Sequence, residues 1–248
     1  LTHNKPGFGL SEVLSTYQCL DHVIFSLLCG RPVLVAGSAK MEAEIIKIVN
    51  ALAVFVPRTK RKAHAVLDWT SKPLRITDLV KLKLIGVCRP DRRSLNAFIP
   101  STIKKSCTIV DIERRTIVAP PYQGQFIAPL LSKKKVLRSD VQLLAYIEWW
   151  LMDMLDKSLI FFHSFCLGSA GSILFSQSPK EQQDAYRDHV AGVMAQLGVR
   201  DSDCEIVEYL TELIKLSKLE SHVWQGAESG SVVCPLNIHH KICENFRC

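Results

Sequence analysis

The sequence predicts an α/β lobe built on a mainly parallel sheet with flanking helices, followed by an all-helical lobe. Three observations carry that prediction. "PVLVA" (32–36) and "LKLIGV" (82–87) are apolar almost throughout, as strands buried on both faces of a parallel sheet are. Past residue 138 the strand texture stops, and helix after helix opens on a capping signal. The charge changes sign nearby: residues 1–140 hold 23 Lys/Arg against 10 Asp/Glu, and the remainder 8 against 14, so that +13 and −6 make up the whole +7. Such an asymmetry separates two surfaces. The expected division is 1–138 for the α/β lobe, 139–224 for the helical lobe and 225–248 for a flexible tail.

The first helix fits 11–29, with Ser11 as its cap and Val13, Tyr17, Leu20, Ile24 and Leu27 recurring at steps of four and three. Gly30 supplies a left-handed stop. After "PVLVA", Gly37 and Ser38 turn the chain into a second helix bearing Met41, Ile45, Val49 and Leu52, which ends by Pro57. "CTIVDIERRTIVAP" (107–120) reads as two β-branched strands joined near Glu113–Arg115. In the second lobe Ser139 with Gln142, Ser178 with Pro179 and Glu181, and Ser202 with Glu205 each mark a helix start. Gly198 closes the middle one.

With 248 residues and 48 % apolar content, the chain can bury a substantial core. It begins at Leu1 with no basic-then-apolar start, and so reads as a segment of a longer polypeptide. The uncharged stretch Ser158–Ser178 nearly has the length of a membrane span. His163, the serines and two glycines would be costly in hydrocarbon, so it reads as a buried helix end and a turn. Nine cysteines lack paired spacing and lie largely in apolar runs, which fits buried thiols in a reducing, cytosolic compartment.

"GRPVLVAGSAK" (30–40) has the strand–turn–helix outline of a phosphate loop. The Walker pattern needs glycines five apart and a lysine after the second; here they are seven apart, and Ser38 follows Gly37. A structural βα turn explains the stretch, with Gly37 taking the unusual dihedrals of the turn. "LGSAGS" (167–172) is not a nucleophile elbow, and His22 and His163 sit in apolar company as core histidines do. No catalytic set, cofactor site or metal site is therefore assigned. The tail "CPLNIHHKICENFRC" holds Cys234, His239, His240, Cys243 and Cys248, but no C-x₂-C knuckle, and a flexible end explains it as well as zinc does.

Two surfaces stand out. Arg58, Lys60, Arg61, Lys62, Arg92, Arg93, Lys133, Lys134 and Lys135 form a basic surface. Solvated loops explain it, with an anionic membrane or an acidic protein as its functional reading. The clusters lack interleaved aromatics, and no nucleic acid is expected. In "SDVQLLAYIEWWLMDML", Leu143, Tyr146, Trp150 and Met154 form a second apolar stripe beside the core-facing one, a candidate partner interface. The adjacent Trp149 and Trp150 must point about 100° apart, one inward and one outward.

"YQCLDHVIFSLLCGRPVLVAG" followed by an amphipathic helix resembles the central part of a DENN domain, and the helical half is similar to its dDENN part. The likeness covers roughly residues 10–224 and is nearest to the folliculin-like family of Smith–Magenis syndrome chromosomal region candidate proteins, in their C-terminal DENN module. The resemblance implies pairing with another DENN protein, of the kind altered in amyotrophic lateral sclerosis and frontotemporal dementia, with a WD-repeat protein joining them. It implies regulation of Rab and Arf small GTPases, autophagy and lysosomal signalling, by exchange or by activation of hydrolysis. It also implies a cytoplasmic protein recruited to lysosomal or autophagic membranes. The family's catalytic arginine lies in a longin domain outside this chain, so Arg92, Arg93, Arg114 and Arg115 remain electrostatic candidates only. The expected role is a heterodimerisation scaffold; the alternative is direct Rab exchange by this module, and a weaker one is lipid binding through the basic lobe.

Overall fold

The computed structural model describes residues 7–57, 65–89, 104–134, 136–166 and 179–225. The described residues fall into two compact units: those of 7–122 with Phe126–Glu148, and Gln123–Gln125 with those of 149–225.

The first unit is built on a five-stranded sheet in the order β2-β3-β1-β4-β5. The strands are β1 (Val33–Gly37), β2 (Val66–Thr70), β3 (Leu84–Cys88), β4 (Thr108–Asp111) and β5 (Thr116–Val118). β1 pairs in parallel with β3 and β4, β2 in parallel with β3, and β5 antiparallel with β4. The α/β expectation holds, down to the 107–120 hairpin, whose turn places Arg115 at φ 52°. β1 is buried along its whole length, as its unbroken apolar run requires. β2 gave no such signal because it is an edge strand, half-buried at every residue, and its apolar and polar positions do not alternate.

Helices α1 (Leu10–Thr16), α2 (Leu20–Leu28), α3 (Glu42–Leu52), α4 (Ile76–Lys81) and α5 (Ile127–Lys133) surround the sheet. α3 lies on one face: a Cβ added to Gly37 would sit 3.2 Å from Ile45 Cδ1, and one on Gly86 2.8 Å from Ile45 Cγ2. On the other face Leu34, Ile85, Val87 and Ile109 pack with Leu74 and Leu79. Gly37 thus serves close packing, since the same Cβ would also come within 2.9 Å of Ile112 Cγ1; the unusual dihedrals expected of it are absent from the positive-φ residues.

The single helix expected over 11–29 is two. Tyr17 is extended (φ −101°, ψ 134°) and Cys19 is left-handed (φ 57°). The break lets each half bury its apolar side against a different partner, α1 on α3 and α2 on β1 and α5. Gly30, at φ 67°, ends α2 as anticipated.

The second unit is helical. α6 (Asp140–Cys166) runs into it from the first unit; α7 (Pro179–Gln196) and α8 (Ser202–Gln225) follow. Its core holds Trp150, Met154, Phe161, Phe162, Met194, Ile206, Val207, Leu213 and Ile214. Thr211 Oγ1 donates within this core, to the Ser158 carbonyl (3.2 Å) or the Val207 carbonyl (2.7 Å), and among the described residues no buried side-chain polar atom lacks a partner. α7 begins at Pro179 and stops at a left-handed Gly198, as the sequence dictates. Ser139 accepts from the Gln142 N–H at 3.2 Å, the expected cap. Ser202 does otherwise: its hydroxyl accepts from Gln123 N–H (3.1 Å), and Asp203, buried, accepts from Gln125 N–H (2.6 Å). No described helix is long and apolar enough to cross a membrane.

Candidate interaction sites

α1 has seven residues, too few to be stable on intrinsic propensity. Its cap is not Ser11 but a left-handed Gly9, which has no side chain to offer. The missing acceptors come from Asp140, the first residue of α6. Its two carboxylate oxygens accept from Gly9 N–H and Ser11 N–H, both at 2.8 Å. At the opposite end Lys134 Nζ donates to the Leu14 carbonyl at 2.8 Å. A carboxylate at the helix N-terminus and an ammonium at its C-terminus both match the helix dipole. One connector, between α5 and α6, therefore clasps α1 at both poles. Neither partner could be found from the sequence, because each lies more than a hundred residues away.

The clasp seats α1 against α3, and between them lies a half-open cleft of about 450 Å³ lined by Glu12, Val13, Thr16, Tyr17, Ala43, Glu44, Lys47 and Ile48. Val13 and Ile48 are buried at its base, and two polar bridges cross it. Lys47 pairs with Glu12, and Tyr17 donates to Glu44 Oε1 at 2.6 Å. Burial, then the Glu44 hydrogen bond and charge, push the Tyr17 hydroxyl well above the usual tyrosine range, while the positive charge of Arg115 pulls the other way. The hydroxyl therefore stays a donor at neutral pH.

A second polar cluster sits at the carboxyl ends of β1, β3 and β4, where ligands gather in open α/β sheets. Arg89 donates its N–H to the Gly37 carbonyl (2.7 Å), and its guanidinium to Asp111 Oδ2 (2.9 Å) and to Glu113. Asp111, buried, also accepts from Arg114 N–H at 3.0 Å. The guanidinium is spent on holding the hairpin turn. Arg114 points out, 71 % exposed. His22 likewise has a structural task, its Nδ1 accepting from Tyr122 N–H at 3.0 Å.

The structure does not assemble the sequence-derived stripe as one exposed face. Leu143, Trp150 and Met154 are buried within the chain and Tyr146 is half-buried. The reason is helical phase: these residues, with Ile147 and Leu155, all fall on the side of α6 that the chain covers itself. The apolar residues left exposed are Val141 (77 %), Trp149 (65 %) and Ile160 (52 %), so the two adjacent tryptophans do point apart. Of the basic surface, Lys133 is exposed, and Lys134 is half-buried with its ammonium bonded to the Leu14 carbonyl. Arg58, Lys60, Arg61, Lys62, Arg92, Arg93 and Lys135 lie outside the described residues, as does the Cys/His tail. Among the described cysteines, Cys107 is buried as anticipated, whereas Cys19 is exposed.

Residues 12–211, most of the chain, match the family model of the C-terminal domain of guanine nucleotide exchange protein SMCR8. This chain belongs to that family. Guanine nucleotide exchange protein SMCR8 of Homo sapiens is 28 % identical over 221 residues, 87 % of this chain and 22 % of its own length. Two Danio rerio proteins, smcr8a and smcr8b, are 27 % and 30 % identical, over 85 % and 87 % of this chain. The chain spans between a fifth and a quarter of these relatives' lengths. The SMCR8 C-terminal domain thus corresponds here to the sheet, most of its helices and most of the helical unit; the α1–α3 cleft, Asp140 and Lys134 lie inside the matched range, while Gly9 and Ser11, which Asp140 caps, lie just before it.

Proposed function

We infer that this chain is the DENN-module subunit of a small-GTPase regulatory complex, working as a scaffold that pairs with a second DENN protein. The observation that carries the reading is the match of residues 12–211 to a domain of proteins named for guanine nucleotide exchange. The exposed Trp149 and Ile160 on α6, eleven residues apart and so within about 20° of one another round the helix, support a binding role, since exposed aromatic and large apolar residues are the usual anchors of a protein interface. In this reading a WD-repeat protein joins through the partner, the GTPases are of the Rab and Arf kinds, and the assembly acts on lysosomal and autophagic membranes in the cytoplasm. The basic residues of the first unit, Lys133 and Arg114 among them, would face the anionic membrane.

The name of the relatives, guanine nucleotide exchange protein, favours a second reading, in which this module itself releases nucleotide. Nucleotide-release assays on a Rab and Arf panel separate the two. The chain alone is expected to give background rates and to accelerate release, or hydrolysis, only when the DENN partner and the longin-bearing subunits are added. Full acceleration by the chain alone would overturn the scaffold reading. A chain that stays monomeric in the presence of every DENN partner tried would overturn the pairing.

A further inference from the structure

We propose that the cleft between α1 and α3 is a receptor for an arginine side chain presented by a partner protein. Its shape and chemistry divide the way that side chain does. The base is apolar, formed by Val13 and Ile48, with Ala43 and Thr16 beside them, and accepts a three-carbon stem. The rim holds two carboxylates on opposite walls, Glu12 from α1 and Glu44 from α3. Each gives one oxygen to its bridge, Glu12 Oε2 to Lys47 and Glu44 Oε1 to Tyr17. A carboxylate has about four acceptor positions, so each keeps capacity for a further donor. A guanidinium, a planar fork of five N–H groups, can reach two such acceptors at once; an ammonium is a compact point charge that sheds water less readily.

Charge supports the same occupant. The charged residues that line the cleft, Glu12, Glu44 and Lys47, sum to −1, within residues 1–140 that total +13. Tyr17 keeps its proton and contributes no negative charge. Among the described residues, Lys47, bonded to Glu12, and Arg115, whose charge is felt at Tyr17, bear on the site. A guest arginine competes with them. Removing Lys47 should therefore tighten binding rather than weaken it, which a purely structural Glu12–Lys47 pair does not predict.

The test is an amide chemical-shift titration of the full 248-residue chain with N-acetyl-arginine amide, using the isosteric neutral N-acetyl-citrulline amide as control. Saturable shifts are expected at Val13, Thr16, Ala43 and Ile48 with arginine, and none that saturate with citrulline. Glu12→Gln and Glu44→Gln, which keep shape and the ability to accept, should each weaken binding about threefold to fivefold. Lys47→Met, which keeps the aliphatic stem against Gly9, should strengthen it by a similar factor. Unchanged spectra elsewhere in each variant certify the fold. Equal binding of citrulline, shifts that avoid the cleft, or unaltered affinity in all three variants would each overturn the proposal.

Discussion

Substituting Asp140 with alanine should loosen the first helix while leaving the sheet intact. The carboxylate caps both Gly9 N–H and Ser11 N–H, at 2.8 Å each, and removing a cap of this kind costs about 1 kcal/mol, with a range of roughly 0.5–2. Loss of a negative charge at a helix N-terminus adds about 0.3–1 kcal/mol. The sum is about 2 kcal/mol, or about a 30-fold shift in the local opening equilibrium of α1, since 1.4 kcal/mol is tenfold. Native-state hydrogen exchange reads this directly. The Val13 and Tyr17 amides, bonded to the Gly9 and Val13 carbonyls, should lose about 30-fold in protection. Amides of β1 should be unaffected. Ser11→Ala is the control: it removes only an exposed 3.2 Å bond from Ser11 Oγ to the Arg138 carbonyl and should cost below about 0.5 kcal/mol. Less than about a twofold change at Val13 and Tyr17 in the Asp140 variant would refute the clasp, as would equal effects of the two substitutions.

The adjacent tryptophans should behave oppositely: Trp150→Ala, at a site 4 % exposed, should cost about 3–5 kcal/mol in urea unfolding, whereas Trp149→Ala should cost little and weaken partner binding in a pull-down. Two glycines should differ in the same way. Gly86→Ala would put its Cβ 2.0 Å from the Asp68 carbonyl oxygen, so the β2 backbone must move, and a loss above about 4 kcal/mol or failure to fold is expected. Gly37→Ala meets only side-chain atoms of Ile112 and Ile45 and should cost about 1–3 kcal/mol by thermal melting. Burial first, and the Lys218 ammonium second, lower the pKa of His163. The unfolded state then binds the proton more tightly, so stability should fall as pH drops below the ordinary histidine value of about 6.5. Lys218→Met should raise the pKa seen in an imidazole NMR titration only part of the way, burial being the larger cause.

Local signals in the chain were read correctly where the physics is itself local. The continuous apolar run of β1, the β-branched hairpin around Glu113–Arg115, Pro179 at a helix start and the left-handed Gly30 and Gly198 all depend on a few neighbouring residues. Periodicity could not say that 11–29 is two helices, because residues on both sides of the break stay apolar while facing different partners. It also grouped Leu143, Tyr146, Trp150 and Met154 into a stripe offered to a partner, since spacing fixes which residues share a side of α6 but not whether the chain itself covers that side.

The amino-acid order by itself determined the α/β-then-helical succession and the family likeness, because hydrophobic period, turn residues and charge asymmetry are properties of short segments. Tertiary structure decided everything that joins distant residues. Asp140 and Lys134 grip α1 across more than a hundred positions, Arg89 ties the ends of three strands, and α1 with α3 encloses a cleft. The reason is that a hydrogen bond or an ion pair needs its groups within about 3–4 Å, and only the folded chain brings these groups that close.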